Sequence, residues 1–177
     1  MPLTVMYKQL TAEQRSRPGS RPRMQRSLPH LQLDQFPPAE AVEELVERCL
    51  QIPCVRSKQS RMASPRSHAL YLRDACAGGP PEAFIDEHEF CHIHPLPEGS
   101  IHLTLPKLFR DKVVRLGWGE RHPIAEAGIL TTLVTVYAPR DRDETEAVFG
   151  LIVESCLFAK GELTNFCGEE RSLREVR

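Results

Sequence analysis

Three observations predict an α+β domain with a small, mostly antiparallel β-sheet and helices packed on one face. Short runs of alternating apolar and polar residues are joined by tight Pro- and Gly-containing turns, segments with helical apolar spacing fall at intervals between them, and no internal repeat is present. The order read from the residues is α-β-β-β-α-β-α. The 177 residues suit one domain with a real core. An extended or partly disordered N-terminal arm is expected over 1–38, the α+β domain over 39–161, and a polar C-terminal tail over 162–177.

The arm is rich in Arg, Pro and Ser, a composition that buries little surface by itself. Leu28-Pro29-His30-Leu31-Gln32-Leu33 is its most apolar stretch and would dock if any part does. His30 is read as a tail residue that approaches the site only in that case. Ala39–Gln51 predicts a helix: Val42, Leu45, Val46, Cys49 and Leu50 recur at three- and four-residue intervals. Its glutamates occupy the other side. Residues 54–66 read as irregular. His68–Arg73 reads as a strand, and Ala77–Pro81 as a loop. Strand alternation returns in the second half of Phe84–His94.

Pro95–Gly99 is a turn and Ser100–Leu105 a strand, with Ile101, Leu103 and Leu105 toward the helices and His102 and Thr104 away from them. Pro106 suits a helix start, and Gly117 ends the helix that carries Leu108, Phe109, Val113 and Leu116. A loop and a strand over Ile129–Ala138 follow. Asp141 with Glu144 has the spacing of a capping box at the head of the last helix.

Composition narrows the function. Apolar content of 41% and charged content of 27% describe an ordinary globule, and a net charge of -1 gives no reason to invoke nucleic acid or an acidic membrane surface. No stretch has the form of a secretion signal or a membrane span. Six cysteines without a CxxC pair are read as reduced thiols serving as small core residues. A cytoplasmic location is the corresponding expectation.

The chemistry concentrates in Glu89–Pro123. This stretch holds four of the seven histidines, His92, His94, His102 and His122, with the only tryptophan, Trp118. His92 and His94 are two apart, so on a strand they share a face. Pairing through the turn Pro95–Gly99 would bring His102 beside them. Three imidazoles so placed are a sound ligand set for Zn, Fe or Cu, with Glu89 as a further carboxylate. The same rings are also general-base candidates, since unperturbed imidazole titrates near neutrality. Tiling of a half-exposed sheet is the plainest alternative, and the residues alone leave all three open.

The segments EFCHIHPLPEGSIHLTLP, GWGERHPIAEAG and VYAPRDRDE followed by an apolar helix resemble the luciferase-like family that includes the fungal luciferases. The likeness runs from Glu89 to about Gly161. It implies an enzyme that adds dioxygen to a hydroxylated α-pyrone, 3-hydroxyhispidin, through a strained peroxide that loses carbon dioxide and leaves an emitting product. The fungal luciferases carry an N-terminal membrane-anchoring helix, for which this chain shows no counterpart.

On that resemblance His92, His94, His102 and His122 are the candidate catalytic residues. Trp118 and Tyr137 would stack on a flat, polyphenol-like substrate, and Glu120 and Arg121 would help bind it and its developing charge. No organic cofactor is expected, dioxygen is the co-substrate, and a metal remains open. The competing readings are a metal-dependent enzyme built on the same histidines and a non-catalytic small-molecule-binding module.

Overall fold

The computed structural model describes residues 15–163, and the outer parts of the expected arm and tail, 1–14 and 164–177, lie outside the described residues. Helix α1 (Ala39–Leu50) buries Ala41, Val42, Leu45 and Cys49 along one stripe and leaves Glu40, Glu43 and Glu47 in solvent. Glu40 in its first turn and Arg48 in its last complement the helix dipole. Then come β1 (Val55–Lys58), β2 (His68–Leu72), β3 (Glu89–Ile93), β4 (Ile101–Thr104), α2 (Lys107–Arg115), β5 (Gly119–Arg121), α3 (Pro123–Glu126), β6 (Leu133–Val136) and α4 (Arg142–Ala159).

The six strands form one antiparallel sheet in the order β1-β2-β3-β4-β6-β5. The fold is α+β. Its order departs from the sequence reading at three places: β1 lies in a stretch read as irregular, and β5 and α3 lie in one read as loop. Both added strands are sheet edges, where one ladder and one packed face suffice, so neither needs a full alternating pattern. Gly119 is required in β5, because a Cβ there would sit 2.2 Å from the Thr135 carbonyl oxygen. The strand expected over 129–138 contracts to β6.

Helices α1 and α4 contact each other, and both contact the sheet. Leu70, Leu72, Cys91, Ile93, Ile101, Leu103, Val134 and Val136 meet Leu45, Cys49, Val148, Leu151 and Ile152 in a single apolar core. The Asp141 carboxylate caps α4 by accepting from Glu144 N at 2.9 Å. Glu144 reaches back one residue beyond the capping-box position, accepting from Arg140 N at 2.9 Å.

The opposite face of the sheet is covered by the arm. Gln32 is its anchor: its backbone N–H donates to Glu98 at 2.6 Å, and its Oε1 accepts from Ala138 N at 3.0 Å. Its Nε2 donates to the Asp34 and Gln35 carbonyls, which shapes the arm itself. Arg17 N donates to Leu116 O, and its guanidinium pairs with Glu144 at 3.1 Å.

One expectation is corrected. Cys54 and Cys76 form a disulfide, with Cα atoms 6.3 Å apart. They flank the β1–β2 pair, whose register sets Val55 opposite Leu72 and so draws the flanking residues together. Without knowing that β1 is a strand, their spacing carried no signal. The reduced-thiol argument for an intracellular compartment therefore falls away, while Cys49, Cys91 and Cys156 are free and buried. No helix among the described residues is long and apolar enough to cross a membrane.

Candidate active site

The arm-covered face carries one row of side chains running across all six strands. The ladder pairs Lys58 with Ala69, Ala69 with His92, His92 with His102, His102 with Thr135, and Thr135 with Glu120. Cross-strand partners share a face, so these six residues form a line with His92 and His102 at its centre. Ala69 beside His92 and Thr135 beside His102 are small and leave room for the rings. His94 follows His92 by two residues, and His122 follows Glu120 by two.

His102 is the hub. Its ring centroid lies 4.5 Å from those of His94 and His122 and 5.0 Å from that of His92. Its Nδ1 is 3.1 Å from His92 Nε2 and 3.4 Å from His94 Nε2, and its Nε2 has no hydrogen-bond partner among the described residues. His30, from the arm, completes the group at 5.3 Å from His122 and 6.4 Å from His102. All five rings are buried.

Carboxylates stand behind two of the rings. His92 Nδ1–H donates to Glu89 at 2.7 Å. Glu89 also accepts from Tyr71 Oη at 2.7 Å and from Ser60 Oγ at 2.9 Å. Strict alternation would put Glu89 and His92, three apart, on opposite faces. The β2–β3 register shifts between Leu70 and Tyr71, so that Leu70 faces Cys91 and Tyr71 faces Glu89. Phe90 is thus the extra residue of a bulge, and the bulge turns Glu89 onto the histidine face.

His30 is held similarly. Its Nδ1 is 2.6 Å from Gln25 O and its Nε2 3.0 Å from Glu120, whose other oxygen accepts from Tyr137 Oη at 3.1 Å. His30 takes φ +63°, a left-handed conformation that costs a non-glycine residue about 1 kcal/mol or more and that concentrates at functional sites.

Burial and mutual repulsion lower the proton affinity of His94, His102 and His122. His94 is depressed to about 3, first by burial and then by the neighbouring His92 and His122. His122 falls to about 4, by burial and then by His30 and His92. His102 is pushed well below the ordinary imidazole range by burial, with His92 and His94 adding to it. Burial and the Glu120 carboxylate push the Tyr137 hydroxyl up to about 12. At neutral pH these three rings therefore offer uncharged nitrogen lone pairs.

The structure brings His92, His94, His102, His122 and Glu120 together. The other residues singled out from the sequence lie elsewhere. Trp118 belongs to the hydrophobic core, with its indole N–H donating to Arg15 O at 2.6 Å. Arg121 pairs across the ladder with core-facing Val134, so it shares the helix-side face, and it is half exposed beside Asp111 at 3.1 Å. Tyr137 is buried with the Arg17 guanidinium 5.4 Å from its ring centre, so it braces Glu120 rather than offering a stacking surface. Glu89 supports His92 from behind instead of joining the nitrogen set.

His30, expected at the site only if the arm docks, is there because the arm does dock, whereas sequence reasoning missed Tyr71, Ser60 and Glu98. The apolar residues flanking His30 were the signal for that docking. The other three depend on the bulge and on turn geometry. His68 is exposed, and His88 lies 3.3 Å from Asp74 outside the cluster.

Residues 87–155 match the family model described as "Luciferase domain". Among curated proteins, the chain is 35% identical over 82 residues to the luciferases of Armillaria gallica and Armillaria mellea, and 34% identical to that of Neonothopanus nambi. Each alignment covers 45% of this chain and only 29% of the relative's length. No solved structure matches the chain significantly. The matched segment begins just before the bulge at Phe90, contains four of the five clustered histidines and ends inside α4. The segment that carries the histidine cluster is thus similar to the luciferase domain, and the match takes in less than a third of the length of the luciferases themselves.

Proposed function

We propose that this chain is a luciferase-type oxygenase that adds dioxygen to a small, flat, enolisable hydroxy-α-pyrone of the 3-hydroxyhispidin kind. The observation that supports this reading best is the packing of four buried imidazoles around the buried His102 ring, with all but His30 in a segment whose relatives are luciferases. Removal of the enol proton leaves an enolate rich enough in electrons to pass one to dioxygen. Carbon–oxygen bond formation then gives a peroxide, and closure to a strained ring with loss of carbon dioxide leaves the oxidised product.

The cluster's residues suit those steps. A neutral imidazole accepts the proton. The low proton affinity of His94 and His122 arises from burial and from neighbouring rings, and an enolate beside them supplies the countercharge that stabilises an imidazolium. His92 backed by Glu89, and His30 backed by Glu120, repeat the imidazole–carboxylate pairing that orients a ring and stabilises its cationic form. Burial strengthens each of these interactions by excluding water.

The test is to mix the purified chain with 3-hydroxyhispidin in air and record oxygen uptake and light together. Oxygen consumption that depends on enzyme concentration is expected, with light as a second readout. A chain that binds the pyrone but consumes no oxygen would be a binding module and would end this reading.

A further inference from the structure

We propose that His92, His94 and His102 bind a divalent transition-metal ion, with Glu89 holding His92 in its ligating tautomer. The inference deepens the proposed function and rests on the same cluster, but its test reads the ion and not the turnover. One nitrogen from each of the three rings lies within 4.8 Å of the others. The two shortest separations are 3.1 Å and 3.4 Å, both to His102 Nδ1. A tetrahedral ion with metal–nitrogen bonds near 2.0–2.1 Å spaces its ligands by about 3.3 Å along each edge.

Counting protons points the same way. His92 Nδ1–H is committed to Glu89, so His92 Nε2 presents a lone pair. His94 Nδ1 faces Glu98 at 3.7 Å and Ser64 Oγ at 3.5 Å, which leaves its Nε2 as a second lone pair. Both are aimed at His102 Nδ1. A single proton there serves two acceptors poorly, whereas a cation among the three nitrogens satisfies all of them.

The surroundings have the form that metal centres take. A carboxylate on the remote nitrogen of a ligating histidine fixes its tautomer and raises its basicity, and Glu89 is itself fixed by Tyr71 and Ser60. All-imidazole ligation suits Zn, Cu, Fe or Ni and disfavours Mg and Ca, which need oxygen donors. Three protein ligands leave a position open, as in catalytic rather than structural sites. The unpartnered Nε2 of buried His102 is a further polar atom that a bound ligand could meet.

The experiment strips the full chain with chelator, reloads it with zinc, and measures stoichiometry and the X-ray absorption of the bound ion. One ion per chain in a nitrogen-dominated shell at about 2.0–2.1 Å is expected. A sulfur-containing shell, an oxygen-only shell, or no retained zinc would overturn the assignment without any variant being needed. Glu89→Gln should weaken zinc by about 10- to 100-fold while circular dichroism stays unchanged, and undiminished affinity in His94→Gln would equally overturn it. Oxygen uptake with 3-hydroxyhispidin, measured on stripped and reloaded protein, separates the two readings. Stripped protein that consumes oxygen, together with no imidazole shell, removes the metal and leaves the oxygenase. An imidazole-bound ion with no oxygen consumption leaves the metal and removes the oxygenase.

Discussion

The two faces of the sheet are built by opposite rules. On the helix side, Leu103, Ile101, Val134 and Val136 meet α1 and α4 in a dry apolar core, and each side chain is there for the area it removes from water. On the arm side the same strands present His102, His92 and Thr135, polar groups that burial penalises unless something holds them. Neighbouring residues of β4 thus play different parts: Leu103 stabilises the fold, and His102 is tolerated by it.

The sharpest way to break this contrast is to replace His92 and His94 together by Ala. Turnover of the pyrone should fall to background while the near-ultraviolet circular dichroism of the core persists. Full activity in that double variant would place the chemistry elsewhere. Next in size is Leu103→Ala, which should cost about 2–5 kcal/mol in urea denaturation by opening a cavity in the core. His102→Leu, its neighbour on the other face, should cost less than that and still abolish turnover. Equal stability losses for the two would erase the distinction between the faces.

A smaller effect concerns what covers the site. Gln32→Ala removes the side-chain contacts to Ala138, Asp34 and Gln35. It should speed tryptic cleavage at Arg23 and Arg26 with little change in the melting of the core. Unchanged cleavage would mean that the arm is held by other contacts.

The smallest is an acid effect at the head of α4. Burial alone would raise the Glu144 carboxyl, but hydrogen bonds from Arg140 and the charges of Arg17 and Arg140 outweigh it and hold the group below its ordinary value of 4.5. A depressed carboxylate stabilises the fold above its unfolded pKa, and that contribution disappears as pH falls through the folded value. Stability should therefore drop on acidification below about pH 4.5, and Glu144→Gln should flatten that limb. A melting profile with the same acid slope in both proteins would contradict the assignment.

The helix face was legible because period alone reveals it. The stripe of Val42, Leu45 and Cys49, the alternation of Ile101, Leu103 and Leu105, and the Asp141 cap each follow from local spacing. The histidine face was legible only in part. His92 and His102 follow from alternation plus one short turn. His30 reaches the site from more than sixty positions upstream through the contacts of Gln32 with Glu98 and Ala138, which no local pattern encodes. Trp118 and Arg121 escape a reading from sequence because residues adjacent to a site along the chain need not face it: Trp118 precedes β5 and packs into the core, and Arg121 lies opposite core-facing Val134.

The amino-acid order by itself determined the main elements and the likeness to luciferases, because apolar period, turn residues and motif strings are properties of neighbours along the chain. Tertiary structure alone decided which nitrogens meet, which carboxylate supports which ring, and that Cys54 reaches Cys76. The bulge at Phe90 makes the difference plain: one unpaired residue reverses the facing of Glu89, and whether a ladder skips a residue depends on the strand beside it.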